Sequence, residues 1–326
     1  MASKRSAIGI LFAIVLSACT AGPTLVQVAV PPDGVTQNIF FMTTRTAIET
    51  QDLFGFERAV TPSYGMINIG IPPTHVPGQL EVTNGIPDPM RDFYNAGVVG
   101  LNGLRAFVAA IHDRQKPIVV YIHGYNNTFA ESTFRYTQIV HDIGRDVTAV
   151  HVSWASRGEV AGYVYDRDSA MIARDEVTDL LVALSTTGRR VTLAAHSMGS
   201  LVAVEVLRQL SLTGERATLA SLDRVILISP DLDADLFADQ MLDVAYPVSD
   251  IMIAINRNDR ALALSGQVSR YSQRVGRDLD PQQLEAAGFV VVDATRIEDG
   301  DFLGHFIFAT SPTLLAMIRS FQFELR

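Results

Sequence analysis

Short apolar runs alternate with longer helical patterns over most of this chain, and this alternation restricts its fold more than any other feature. From about residue 38, β-like runs occur at 38–44, 64–71, 117–122, 147–154, 190–195, 224–229, 250–256 and 288–293. The clearest helical patterns lie at 99–113, 128–143, 163–185, 198–211, 233–243 and 311–322. Several of the β-like runs are continuously apolar, as in a sheet that is buried on both faces.

This order of elements predicts an α/β fold with a mostly parallel central sheet, right-handed crossovers and helices on both faces. The first two β-like runs can pair antiparallel at one edge of the sheet. Residues 266–287 are polar and end in a helix-like pattern, which predicts an excursion before the last strand.

The N-terminus has the layout of a targeting segment. Residues 1–19 read MASKRSAIGILFAIVLSAC, with Lys4 and Arg5 before an apolar run and small residues before Cys19. This is typical of a secretory signal peptide, and the apolar run is too short to span a bilayer comfortably. The stretch 16–19, LSAC, also resembles the lipobox of bacterial lipoproteins, in which the cysteine is lipidated and becomes the new N-terminus.

Cys19 is the only cysteine, so a disulfide within the chain is excluded. An ordinary cleaved signal or a structural cysteine remain the alternatives. The lipobox resemblance implies an exported protein anchored to a cell-envelope membrane, and Thr20 in the next position implies the periplasmic side of a bacterial outer membrane. We expect a signal peptide at 1–18, a lipid-anchored tether at 19–36, one folded domain at 37–326 and no other membrane span.

The stretch 190–200, RVTLAAHSMGS, places Ser197 between an apolar run and a helical pattern. It resembles the nucleophile elbow of α/β-hydrolases, G-x-S-x-G on a strand–turn–helix, in which the serine hydroxyl is lifted clear of the sheet. Ala195 stands where that pattern has glycine, and alanine adds only a methyl group. The resemblance implies that Ser197 is the nucleophile, whereas the structural alternative is a helix-capping serine.

A second hydrolase-like motif follows the strand predicted at 117–122, where the chain reads His123-Gly124-Tyr125-Asn126-Asn127. The His-Gly pair resembles the oxyanion loop of the same superfamily. The resemblance implies that the backbone N–H groups of Tyr125 and Met198 bind the oxyanion. An ordinary Gly-Asn turn is the alternative.

Hydrolases of this fold order their triad Ser, then Asp or Glu, then His along the chain. Of the seven histidines, only His305 lies after Ser197, which makes it the expected general base. Asp259, after the run 250–256, is the favoured acid. Asp231, after the run 224–229, is the alternative acid, and it can also be a helix cap.

Other chemistries have less support in the sequence. There is no His pair four residues apart with a nearby Glu and no phosphate-binding glycine motif, so we expect neither a metal nor a nucleotide cofactor. The formal net charge of −9, with no basic stripe, argues against nucleic acid as a partner. Oligomeric state is open.

Several further segments resemble one bacterial family of α/β-hydrolases of unknown function, often described as an esterase/lipase superfamily. The resemblance extends over about 38–310. The segments are Phe41-Met42-Thr43-Thr44-Arg45, Ile71-Pro72-Pro73-Thr74-His75, His123-Gly124-Tyr125-Asn126, Ser153-Trp154-Ala155-Ser156-Arg157-Gly158, Tyr165-Asp166-Arg167-Asp168-Ser169-Ala170, Pro230-Asp231-Leu232-Asp233-Ala234-Asp235 and Asn258-Asp259-Arg260-Ala261-Leu262. Trp154 and Asn126 are expected near the carboxyl ends of the strands, where ligands bind in open α/β sheets. Trp154 either lines a substrate pocket or packs against the crossover helix.

Together these motifs predict a serine hydrolase, most simply a carboxylic-ester hydrolase, with its catalytic domain at 37–326. Its expected partners are an acyl ester substrate, small or lipid-like, and the membrane reached through Cys19. A thioesterase, amidase or peptidase of the same fold is an alternative, because the fold hosts many reactions. The second alternative is a lipid-anchored binding protein on an inactive hydrolase scaffold.

Overall fold

The computed structural model of the chain describes residues 22–112, 115–269 and 272–320. The predicted signal peptide and Cys19 lie outside these residues. The strands are β1 (Val35–Ala47), β2 (Phe54–Ile71), β3 (Tyr94–Leu101), β4 (Ile118–Ile122), β5 (Thr148–Ser153), β6 (Val191–His196), β7 (Leu222–Ile228), β8 (Ile251–Ile255) and β9 (Val290–Asp293). The helices are α1 (Gly103–His112), α2 (Phe129–Ile143), α3 (Tyr163–Ser185), α4 (Gly199–Leu212), α5 (Arg216–Ser221), α6 (Ala234–Met241), α7 (Arg260–Val268), α8 (Pro281–Ala286), α9 (Ile307–Thr310) and α10 (Pro312–Ser320).

The strands form one sheet in the order β3-β2-β1-β5-β4-β6-β7-β8-β9. From β1 to β9 across this order all neighbours are parallel, whereas β2 is antiparallel to both β1 and β3. The predicted α/β fold and its antiparallel edge are therefore confirmed. The parallel arrangement brings the carboxyl ends of β4, β6, β7 and β8 to one end of the sheet.

The core lies on both faces of this sheet. Val120 of β4 packs in a cluster with side chains of α1, α3 and α4, whereas the next residue, Tyr121, packs in a cluster with side chains of α2. Successive side chains of a strand point to opposite faces, so neighbouring residues serve the two clusters. Among the described residues, none of the helices has the length and apolar character needed to cross a membrane.

Several elements differ from the sequence prediction, most clearly β3 and α1. The edge strand β3 was not predicted, and α1 begins at Gly103 instead of residue 99 because β3 occupies the preceding residues. The predicted excursion at 266–287 contains the end of α7 and all of α8. The strand YNAGVVGL contains two glycines, which weaken its β pattern, and it pairs along its length with β2. Pairing with β2 therefore contributes more to this strand than the intrinsic β preference of its residues.

In the described part of the predicted tether, residues 24–28 contact the domain, whereas residues 29–34 are largely exposed. Leu25 is buried, Gln27 forms a parallel bridge with Asn95, and the Val28 N–H donates to the Asn95 carbonyl at 2.9 Å. The backbone here extends the sheet beside β3, so this part of the segment is not a free linker.

Candidate active site

The turn between β6 and α4 holds Ser197. Its φ is 53°, in the left-handed region that residues with a side chain rarely adopt, and the residue is buried. Such strained positions cluster at functional sites. The Ser197 N–H donates to the Ile228 carbonyl of β7 at 2.9 Å, which fixes the turn at the carboxyl end of the sheet. The strand–turn–helix elbow expected around Ser197 is present.

Close packing requires small residues around this turn. A β carbon on Gly199 would lie 2.5 Å from the His123 carbonyl oxygen, and a β carbon on Gly124 would lie 2.8 Å from Cβ of Ser197. Both distances are too short for a side chain. At the third small position, Ala195 is fully buried, so the turn accommodates the one methyl group by which this chain departs from the usual pattern.

His305 and Asp259 come together at the same end of the sheet. His305 Nδ1 lies 2.6 Å from Oδ2 of Asp259, which is fully buried. Burial alone would lower the pKa of His305, but the hydrogen bond and charge of Asp259 outweigh it and the pKa is raised. Asp259 also begins α7, because its Oδ1 accepts the Leu262 N–H at 2.8 Å. Within the described residues no hydrogen bond joins the Ser197 hydroxyl to His305.

Asp231, the alternative acid, has other partners. Its carboxylate accepts hydrogen bonds from Ser265 at 2.7 Å and Tyr163 at 3.0 Å, and Nε of the buried Arg274 lies 3.3 Å away. The structure therefore places Asp259, and not Asp231, against His305. Asp231 still lies close to the turn, since its N–H donates to the Ser197 carbonyl at 3.2 Å.

Two residues that the sequence did not single out hold the His305 loop. The Asp301 carboxylate accepts the N–H groups of His305 at 3.2 Å and Phe306 at 2.9 Å. His196, next to Ser197, lies with Nε2 3.1 Å from the His305 carbonyl and stacks on Phe306. Burial first, and then the charge of His305, lower the pKa of His196 well below the usual value. A neutral His196 donates through Nε2 and ties the loop to the nucleophile turn.

The proposed oxyanion loop follows β4 and faces the same turn. In the part of the chain that the structure describes, neither the Tyr125 N–H nor the Met198 N–H has a hydrogen-bond partner. The next amide, of Asn126, is occupied, because it donates to Oδ2 of Asp166 at 3.1 Å, and Asn126 itself has a φ of 57°. The two N–H groups expected to bind an oxyanion are thus both available.

A buried charged network supports this loop. The Asp166 carboxylate, in the first turn of α3, accepts the Asn126 N–H and, at 2.7 Å, the Arg157 N–H. Arg45 of β1 donates to the carbonyls of Asn127 and Ser156, each at 2.7 Å. Burial lowers the pKa of Arg45 to about 10, opposed by the charge of Asp166, so the guanidinium remains cationic at neutral pH.

This network was not foreseen from the sequence. In the sequence, Asp166 begins the helix predicted at 163–185, which favours a structural ion pair or a helix cap. Its carboxylate instead bonds two loop amides. The pKa of Asp166 is raised because burial outweighs the hydrogen bonds from Ser156, Arg157 and Asn126.

The two predicted pocket residues lie in different settings. Trp154 is fully buried, stacks on His123 with ring centroids 4.7 Å apart, and donates from its indole to the His123 carbonyl at 2.8 Å. It therefore supports the loop 123–127, and because the side chain is fully buried the pocket interpretation of Trp154 is wrong. Asn126 is half-buried in the loop, and its contact with a substrate stays a prediction.

One cluster has the composition of a metal site. Ligand atoms of His75, His141 and Asp142 lie within 4.8 Å of one another. However, Nδ1 and Nε2 of His75 each lie 2.8 Å from a carboxylate oxygen, of Glu81 and Asp142 respectively. Burial would lower the pKa of His75, but the hydrogen bonds with these two carboxylates outweigh it and the pKa is raised. The arrangement is that of an ion pair at the end of α2 away from the oxyanion loop.

A family model described as "Alpha/beta hydrolase of unknown function (DUF900)" matches residues 104–320. The match covers more than half of the chain and includes the elbow, Asp259 and His305. No curated protein matches this chain.

Solved structures of similar topology include several esterases. One is the hyperthermophilic esterase from Pyrobaculum calidifontis, which is 14% identical, with 79% of this chain and 81% of that chain covered and a TM-score of 0.37. Another is esterase B from Lactobacillus rhamnosis, which is 13% identical, with 98% and 94% covered and a TM-score of 0.39.

Proposed function

The chain belongs to a family of α/β hydrolases of unknown function, and from this premise we propose that it is a serine hydrolase that cleaves carboxylic esters. The single observation that supports this most is the Asp259–His305 pair at the carboxyl end of the sheet that also carries the strained Ser197. A nucleophile, a base and a group that orients the base are the three parts of such a mechanism.

In the first step His305 Nε2 removes the hydroxyl proton of Ser197 while Oγ attacks the ester carbonyl carbon. The carbonyl oxygen becomes an oxyanion and accepts hydrogen bonds from the N–H groups of Tyr125 and Met198. When the tetrahedral intermediate collapses, the C–O bond to the alcohol breaks and His305 gives its proton to the leaving alkoxide. Catalysis requires Nε2 to reach Oγ, and hydrogen bonds of this kind often tighten only when substrate binds.

In the second step water takes the place of the alcohol. His305 removes a proton from the water as it attacks the acyl carbon, the same two N–H groups bind the oxyanion, and Ser197 leaves with the proton from His305. Asp259 accepts a hydrogen bond from Nδ1 throughout, which keeps Nε2 unprotonated in the resting state and stabilises the imidazolium. Each acid–base role of this kind contributes typically about 10²–10⁴ in rate.

The test is hydrolysis of p-nitrophenyl esters from acetate to palmitate by the full chain in mild detergent, together with labelling by a fluorophosphonate probe. We expect the parent to be labelled and active and Ser197→Ala to be neither. Ser229→Ala is the matched control, because Ser229 is also buried, follows the neighbouring strand β7 and has a positive φ of 44°.

Absence of both labelling and ester turnover in a folded parent would remove the esterase proposal. Labelling without ester turnover would instead favour a thioester, amide or peptide substrate. A folded parent that is neither labelled nor active on any of these substrates would favour a binding role on a hydrolase scaffold.

We further propose that the chain is exported and anchored through a lipid on Cys19. Support comes from the sequence alone, in the LSAC stretch at 16–19. Mass spectrometry of the N-terminal peptide from cells expressing the full chain tests this. The expected product begins at an acylated Cys19, whereas Cys19→Ser is expected to remain unacylated. An unmodified Cys19 would remove this proposal and leave the esterase proposal intact.

A further inference from the structure

The described chain begins close to the proposed oxyanion loop. A β carbon on Gly22 would lie 2.9 Å from Oε1 of Glu131, so Gly22 is in contact with the first turn of α2. The N-cap of α2, Thr128, directly follows the loop 123–127. Cys19 lies three positions before Gly22, and three residues span at most about 11 Å. If Cys19 carries a lipid, the attachment point is therefore within this reach of the first turn of α2, at the end of the sheet that carries Ser197.

The chain after Gly22 is fixed to the domain. Thr24 donates to the Gly85 carbonyl at 3.3 Å, Leu25 is buried, and Gln27 bridges to Asn95. A long flexible tether would let the domain take any orientation at a membrane. Attachment at this distance restricts the domain to orientations in which the carboxyl end of the sheet is near the lipid.

Exposed apolar side chains lie at the same end. Val160 and Val164 belong to the segment after β5 and are 51% and 72% exposed, and Phe302 in the His305 loop is 81% exposed. The Val160 carbonyl accepts a hydrogen bond from the Tyr125 hydroxyl, which places it beside the oxyanion loop. Single exposed apolar residues are common, and these three gain weight only from their place at the end of the sheet that carries Ser197.

Cationic groups accompany this surface. The Arg260 guanidinium stacks over the Phe302 ring at 4.4 Å, and the Arg157 guanidinium lies 4.6 Å from the ring centre of Phe56. Arg side chains with aromatic neighbours suit the boundary between headgroups and acyl chains, because the stem and ring are apolar and the tip is charged. The chain as a whole is acidic, with a formal charge of −9, so apolar contact is a better account of binding than net charge.

We propose that Val160, Val164 and Phe302 form a membrane-facing surface; this rests on the lipidation of Cys19 proposed above and brings the surface against the phospholipid bilayer that holds the lipid. The mouth of the proposed active site then opens at the lipid surface. If the esterase proposal holds, on which this consequence rests, the substrates are esters that reside in or emerge from the lipid layer.

The orientation is tested with the mature lipidated chain in phosphatidylethanolamine–phosphatidylglycerol vesicles. Cys19 is the only cysteine and is blocked by its lipid, so Val164→Cys can be labelled selectively with a fluorophore. Leu212→Cys is the matched control, because Leu212 is also exposed, at 62%, and lies at the end of α4 remote from Ser197. Nitroxide-bearing lipids then report the distance of each label from the bilayer.

We expect strong quenching at residue 164 and little at residue 212. Equal quenching, stronger quenching at 212, or failure of the chain to float with the vesicles would overturn the proposal. Ser197→Ala in the same background is expected to show the same quenching, which separates the orientation from the esterase proposal.

A second measurement concerns the substrate. In the double variant Val160→Ser/Val164→Ser, we expect turnover of a long-chain ester incorporated in vesicles to fall several-fold. Turnover of soluble p-nitrophenyl acetate is expected to be unchanged. Leu212→Ser is expected to keep both. Equal losses on the two substrates would contradict a role for this surface in access to lipid.

Discussion

The carboxylate of Asp259 lies 2.6 Å from Nδ1 of His305 and is fully buried. Its second oxygen accepts the Leu262 N–H at the start of α7, so a helix end fixes the position of the acid. Burial without these partners would make a carboxylate costly. This geometry supports Asp259, among the aspartates near the turn, as the residue that orients the proposed base His305.

Asp259→Asn is expected to lower kcat/KM for p-nitrophenyl esters by about three to four orders of magnitude, because the amide stabilises the wrong tautomer of His305. Asp231→Asn is the comparison. Asp231 lies in a cluster with Tyr163, Ser265 and Arg274, so its loss should mainly lower the midpoint of thermal unfolding. A larger loss of activity in Asp231→Asn than in Asp259→Asn would assign the acid to Asp231.

The pH profile of kcat/KM reports the base. His305 must be neutral to accept the Ser197 proton, and its pKa is raised above the ordinary 6.5 because Asp259 outweighs the effect of burial. Activity is therefore expected to fall on acidification with a midpoint above 6.5, and the midpoint of Asp259→Asn is expected to be lower. A parent midpoint at or below 6.5 would contradict this.

The same shift has the opposite effect on stability. Because the pKa of His305 is higher in the folded chain than in the unfolded chain, protonation of His305 favours folding. This contribution to stability is complete below pH 6.5 and is lost as the pH rises through the pKa of the folded chain. Between pH 6.5 and the pKa of His305 in the folded chain, activity therefore rises with pH while the stability contributed by protonated His305 falls.

Asp166→Asn tests whether the buried network positions the oxyanion loop. Because the new amide group cannot accept from both the Asn126 and Arg157 N–H groups, we expect a loss of stability of about 1–3 kcal/mol for the unsatisfied donor. We also expect kcat to fall tenfold or more, towards the ~10²-fold cost of losing one oxyanion donor, with KM little changed.

The measurements for Asp166→Asn are made well below its unfolding midpoint, with Asp168→Asn as the control because Asp168 is exposed on the same helix. A purely structural role would lower the unfolding temperature and leave kcat of the folded fraction unchanged.

The sequence was sufficient for features that depend on local pattern. The helix at 163–185 and the elbow at Ser197 follow from periodicity and a short motif, and both are present. The role of Arg45 could not be predicted, because three of the four partners of its guanidinium lie 82 to 111 residues away along the chain. The stacking of Trp154 on His123 is likewise a long-range contact between two loops. The sequence pattern of a helix or strand indicates which of its faces is apolar, but it does not indicate which loops pack against one another.

Gly124→Ala probes the close approach of the oxyanion loop to the nucleophile. A β carbon there would lie 2.8 Å from Cβ of Ser197 and 3.0 Å from Nδ1 of His196, so the loop has to move away from the turn. Overpacking of this kind costs about 1–3 kcal/mol of stability, and displacement of the Tyr125 N–H is expected to lower kcat by about 10²–10³. Gly100→Ala in β3 is the control, since a β carbon there meets nothing within 4 Å. The measurements are the rates of ester turnover and of fluorophosphonate labelling for both variants. If Gly124→Ala keeps the parent activity, the oxyanion is bound elsewhere than at the Tyr125 N–H.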